Sequence, residues 1–260
     1  MADDLGDDWW KEEDSSNDDD DEKIEDKEDM ETSVPEQPQK DKDQKKKRKR
    51  NRKRITDELK EKGDKPGRPE DFVGFLDKHF GGKLTAVERD EIALDTEKNF
   101  YAPNQTPAFS VAYLRSVLPK WKKMKIACEG QGSPMLLVIC AAALRAVDLN
   151  RQLQDFKGDK CKCAKLFAKH MKLGEQQTFL KKSVCHMGIG TPNRILALVK
   201  SGHLKLDNLT AIVIDWNYRD IKKHRVADIP EIRAELATLL KTYLIPHIKS
   251  SDLNCKIGML

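Results

Sequence analysis

Four consecutive residues, Thr191-Pro192-Asn193-Arg194, have the types and spacing to hold an anion. They close the stretch Val184–Arg194, which reads Val-Cys-His-Met-Gly-Ile-Gly-Thr-Pro-Asn-Arg. The pattern predicts a short buried strand over Val184–Met187, a tight turn at the glycines and a helix over Thr191–Lys200. Thr191 suits the N-cap, and Pro192 suits the first helical position, where a missing N–H costs nothing. The first turn then offers free backbone N–H groups and a partial positive charge, and Arg194 adds a forked cation. Such a turn can cradle a phosphate. The same residues also fit a plain strand-to-helix turn with a good cap and a surface arginine.

Other chemistry is thin. His79, His170, His186, His203, His224 and His247 have no metal-ligand spacing, and Cys161-Lys162-Cys163 is tighter than a zinc pair. The remaining cysteines, 128, 140, 185 and 255, read as reduced thiols of an intracellular protein. Gly81-Gly82-Lys83-Leu84-Thr85 lacks the spacing and the preceding strand of a phosphate loop. No metal, nucleotide or other cofactor is expected. Lys222-Lys223-His224-Arg225 is a basic cluster that either extends a nucleic-acid surface or is an ordinary solvated face.

Charge divides the 260 residues. Residues 1–39 carry 18 acidic and 3 basic side chains, and residues 40–54 carry 11 basic and 2 acidic. The whole chain is +4, which leaves a surplus of +10 beyond residue 54 and favours an acidic partner such as nucleic acid. Residues 1–39 are too poor in aliphatics to fold and read as a disordered acidic tail. Within them Trp9-Trp10 is either a docking segment or a pair that never orders, and Ser15 and Ser16 precede acids as acidophilic kinases prefer. Residues 40–62 form a polybasic segment: an address read by nuclear import machinery, an RNA-binding arm, or both, with a solvated spacer as the alternative. Residues 63–70 read as a linker, and residues 71–260 as the folded domain. No apolar run is long enough to span a membrane, and the acidic N-terminus is not a signal peptide.

Positioning falls to alternating elements. Helices are predicted over Asp71–Phe80, Thr85–Leu94, Thr106–Leu118, Ala141–Phe156 and Leu173–Lys182. A further helix is predicted from Asp228 to about Tyr243, with Asp228 and Glu231 at capping-box spacing. Strands are predicted at Phe100-Tyr101, Met135–Cys140, Lys160–Lys169, Ala211–Asp215 and Lys256–Leu260. This predicts an α/β domain: a single parallel sheet wrapped by helices, with its binding surface at the carboxyl ends of the strands. The 191–194 turn and Asp215 share that edge.

A strand ending in Gly190-Thr191-Pro192-Asn193-Arg194, with a later strand ending Val213-Ile214-Asp215, resembles the first RecA-like domain of DEAD-box RNA helicases. Thr191, Pro192 and Arg194 match the family's Thr-Pro-Gly-Arg motif, whose backbone and arginine contact RNA phosphates; Asn193 stands for the glycine. The resemblance makes Thr191, Asn193 and Arg194 the candidate RNA-binding residues. Leu136–Ala146 occupies the place of the Pro-Thr-Arg-Glu-Leu-Ala motif without its polar signature. Residues 104–110 hold neither the glycines nor the lysine of a phosphate loop. The Asp-Glu-Ala-Asp motif becomes Asp215-Trp216-Asn217-Tyr218, and no Ser-Ala-Thr element lies near Ile257–Leu260. Trp216 then either fills the vacated nucleotide pocket or, with Tyr218, anchors a partner. Met1–Trp10, the polybasic run, Lys65–Asp71, Leu166–His170, Val213–Asn217 and Asp228–Arg233 resemble the Cms-one ribosomal small subunit homologue family. That resemblance implies a nucleolar or nuclear, non-catalytic, RNA-associated factor of pre-ribosomal particles, or alternatively a scaffold that touches only pre-ribosomal proteins.

Overall fold

Two four-residue runs, Leu136–Ile139 and Ala211–Ile214, are wholly apolar and wholly buried, as strands covered on both faces require. They form β1 and β4 of a five-stranded sheet in a computed structural model that describes residues 66–106, 109–169, 171–250 and 252–260. The other strands are β2 (Cys163–Leu166), β3 (Met187–Gly190) and β5 (Lys256–Met259). The order is β2-β3-β1-β4-β5, and every pair is parallel. The expected α/β class, one parallel sheet flanked by helices, is the observed one. The acidic tail, the polybasic segment, Trp9-Trp10, Ser15 and Ser16 lie outside the described residues.

The helices are α1 (Pro69–Phe80), α2 (Ala86–Ile92), α3 (Val111–Val117), α4 (Trp121–Ala127), α5 (Ala143–Gln152), α6 (Gln154–Lys157), α7 (Leu173–Lys182), α8 (Pro192–Lys200), α9 (Pro230–Leu239) and α10 (Ile245–Ser250). Side chains alternate across a strand, so the sheet feeds two cores. Leu137, Ile139, Ile212, Ile214, Ile257 and Met259 face one, under α1 and α7–α10. Leu136, Val138, Ala211 and Val213 face the other, under α3–α6.

Several boundaries differ from expectation. The third strand starts at Met187 rather than Val184, so Gly188 and Gly190 are strand residues and not a turn. Both are packed too closely for a side chain: a Cβ on Gly188 would press on Leu166 and Leu137, and one on Gly190 would strike the Leu166 backbone. The helix expected from Thr106 begins at Val111, because Ser110 caps it by accepting from the Tyr113 N–H. Ala141–Phe156 is two helices, α5 and α6, meeting at Leu153. Phe100 makes only an isolated bridge to Ile257. Asp228 is not a cap: α9 starts at Pro230, and the Asp228 carboxylate accepts from the Arg225 N–H at 2.8 Å. After α9 the chain makes a π-helical turn, Leu240–Leu244, before α10, where Pro246 has no N–H to continue a regular ladder.

Candidate functional site

Ile139 of β1 pairs with Gly190 of β3 on one side and Ile214 of β4 on the other. Thr191, Cys140 and Asp215, each one residue on, therefore line one edge of the sheet. Two strand spacings separate the 191 turn from Asp215, roughly 10 Å. The chain runs from β1 outward to β2 and β3 and then crosses to β4, so this is also where the strand order switches direction, the usual place for a crevice in an open α/β sheet.

The turn itself is built as a brace. Thr191 holds the N-cap position in extended conformation, but its hydroxyl makes no cap bond, contrary to the expected capping role. Its N–H is already spent on Leu166 O at 3.0 Å, as the ladder with β2 extends one residue past Gly190. Asn193 donates from Nδ2 to Glu235 Oε1 on α9. Arg194 donates from Nη1 to Met171 O at 3.1 Å and to Gln176 Oε1 at 2.9 Å. Gln176, on α7, is buried, and its Nε2 donates to Lys165 O and Phe167 O. Arg194 thus holds the loop after β2 through Gln176, while Thr191 and Arg194 remain only part-buried.

At the other end of the edge, Asp215 is almost fully buried and paired. Arg145, in the first turn of α5, gives Nε to Oδ2 at 2.7 Å and Nη2 to Oδ1 at 3.0 Å. The same guanidinium lies over the Tyr218 ring, 4.1 Å from its centroid. Burial pushes the Asp215 carboxyl above the ordinary carboxylate range, and the Arg145 contacts oppose the rise. Burial works to lower the Arg145 guanidinium, but its bonds to Asp215 raise it overall. The fork fit, together with the cation–π contact, satisfies the charge within the chain. Sequence reasoning missed Arg145, since nothing local links it to a residue 70 positions away.

Trp216 is 3 % exposed, which rules it out as an exposed anchor for a partner. Its ring packs edge-on against Phe72 and Phe75 of α1, at centroid distances of 5.4 and 5.9 Å. Gly67 lies directly on the indole; a Cβ there would collide with Trp216 Cδ1. The Gly67 N–H donates to Asn217 Oδ1 at 2.6 Å, and the Asn217 N–H donates to Leu260 O at 2.8 Å. The strap Pro66–Arg68, part of the stretch expected to link, is thus seated on the edge beside Asp215. Tyr218 is half-exposed and occupied by Arg145. Among the described residues no group of three His, Cys, Asp or Glu side chains could hold a metal, and no helix is long and apolar enough to cross a membrane.

The family model described as "CMS1: U3-containing 90S pre-ribosomal complex subunit" matches residues 15–252. Protein CMSS1 of Homo sapiens is 40% identical over 207 residues, covering 80% of this chain and 73% of its own length. Protein CMSS1 of Xenopus laevis is 35% identical over 280 residues, covering 100% of both. Among solved structures, a DEAD box protein from the hyperthermophile Methanococcus jannaschii is similar over 72% of this chain at 17% identity, with a TM-score of 0.40. The chain spans 46% of that structure's length.

Proposed function

The chain belongs to the CMS1 family, and from that premise we propose that it is a non-catalytic, RNA-associated factor of the early small-subunit pre-ribosomal particle, working in the nucleus and nucleolus. The observation that carries the non-catalytic part is the Arg145–Asp215 pair. An aspartate that has to hold a metal–nucleotide complex needs open coordination positions, whereas both Asp215 oxygens are taken by one guanidinium. Trp216 and Gly67 fill the adjoining space. RNA association is supported by the +10 surplus beyond residue 54, by the polybasic segment, which also suits the nuclear import machinery, and by the Thr191-Pro192-Asn193-Arg194 turn. At that turn we assign phosphate contact to Thr191, Asn193 and Arg194.

Arg194→Ala tests the assignment. If the guanidinium meets a phosphate, RNA affinity falls by about 1–3 kcal/mol and the salt slope becomes shallower by roughly 0.7. Unchanged affinity removes the turn from the binding surface. One observation favours a second reading, a protein scaffold within the particle: Asn193 and Arg194 already have partners inside the fold. Association with pre-ribosomal proteins that survives nuclease treatment, in a chain that binds no free RNA, selects the scaffold.

A further inference from the structure

The loop after β4 carries four cations, Arg219, Lys222, Lys223 and Arg225, and His224 within seven residues, yet it is not a loose solvated run. Its backbone closes on itself: the Asp220 N–H donates to His224 O at 3.0 Å and the Lys223 N–H to Asp220 O at 2.9 Å. Lys223 takes a left-handed conformation, with φ of 64°, to make that turn. Arg219 reaches across from Nη1 to Lys223 O at 3.1 Å. At the base Tyr218 rests on Arg145, which is fixed to Asp215. A hydrogen-bonded loop costs little further ordering when it binds.

The neighbouring acids help to hold this shape. Asp220 accepts from the His224 N–H at 2.7 Å and faces the His224 ring at 3.5 Å. Asp228 accepts from the Arg225 N–H. Lys222 and Lys223, by contrast, are exposed, and among the described residues no carboxylate pairs with either. Beside them Ile221 is 100 % exposed. Two exposed ammonium groups following a bare aliphatic tip suit a chain that offers phosphates and apolar base faces together. Arg225 is part-buried, and its Nε is sealed from solvent with no hydrogen-bond partner among the described residues.

We propose that the Tyr218–Arg225 loop is a second RNA contact, in which Lys222 and Lys223 each neutralise one phosphate and Ile221 rests against an unstacked base. This rests on the RNA-associated reading above, but at a place separate from the 191–194 turn: it follows β4, whereas the turn follows β3 on the far side of β1.

The test uses the full chain and a fluorescently labelled single-stranded RNA of mixed sequence, titrated by anisotropy at several salt concentrations. The double variant K222A/K223A is expected to flatten the log–log salt slope by about 1.4 and to weaken binding roughly twenty-fold at 0.1 M salt, since each lost phosphate contact removes about 0.7 from the slope. Ile221→Ser is expected to weaken binding with the slope unchanged. All three side chains are exposed, so far-UV circular dichroism should match the parent. If the parent binds RNA and K222A/K223A binds with the same affinity and slope, the loop proposal is overturned and the RNA-associated reading stands. A parent that binds no RNA overturns both. If the double variant binds RNA normally but loses nuclease-resistant association with pre-ribosomal proteins, the loop docks an acidic protein surface and the proposal is likewise overturned.

Discussion

Asp215 and Arg145 form a closed ionic unit: two oxygens meet two nitrogens, with side-chain exposures of 2% and 11%. The pair occupies the sheet edge where an open acidic centre would need a bare carboxylate. Either partner alone would leave an uncompensated charge at a nearly dry site.

Arg145→Met should therefore destabilise the fold by about 3–5 kcal/mol, as it leaves a buried carboxylate unpaired. The double variant Arg145→Met/Asp215→Leu should lose far less, since neither charge is then stranded. Urea denaturation of the parent and both variants reads the difference. Equal losses would show that the pair contributes through packing rather than charge.

Gly190→Ala should be among the most damaging changes in the sheet, because its methyl meets the immovable Leu166 backbone in β2. Gly188→Ala should cost less, roughly 1–3 kcal/mol, since its nearest obstacle is the end of the Leu166 side chain. Melting temperatures order the two. The reverse order would contradict the packing at the β2–β3 seam.

Alkaline pH should weaken the fold before the backbone itself is affected. Burial pushes the Tyr113 phenol up to about 12, from its ordinary 10.0. The folded state thus prefers the neutral phenol, so this contribution is whole below pH 10 and is lost as pH rises toward 12. For Tyr113, which accepts from the Met259 N–H, the loss is roughly 2 kcal/mol. Tyr101 is raised to about 12 by the same cause. Absorbance titration at 295 nm should show two phenols ionising only near unfolding, and Tyr113→Phe should leave one.

Gly67→Val should dislodge the strap from Trp216, because its side chain meets the indole and the tip of Met259. The indole then gains solvent, and its fluorescence should shift to the red, with Trp216→Phe as the control that removes the signal. An unshifted spectrum would mean that the strap contributes nothing to sealing the indole.

Much of the architecture can be read directly from residue types. Leu136–Ile139 and Ala211–Ile214 announce themselves because strands buried on both faces have no polar positions to blur the run. Leu173–Lys182 matches the predicted helix to the residue. The third strand is displaced because its side chains were given up to closeness: two glycines in four residues look like a turn until Leu166 is seen against them. Helix α4 escapes notice because only its Trp121 is buried in a lysine-rich stretch. At the candidate site, the shared edge of the 191–194 turn and Asp215 follows from the parallel topology. The partners of those residues do not, since Arg145, Gln176 and Glu235 lie far off in sequence.

Gly67 hangs from Asn217, Asn217 from Leu260, and Leu260 from Ile214 in the central strands. Tension applied upstream of Pro66 therefore does not peel the domain from a frayed margin. It pulls across the sheet at the end of β4, where the load falls on the Gly67–Asn217 hydrogen bond and on the indole packed under Gly67.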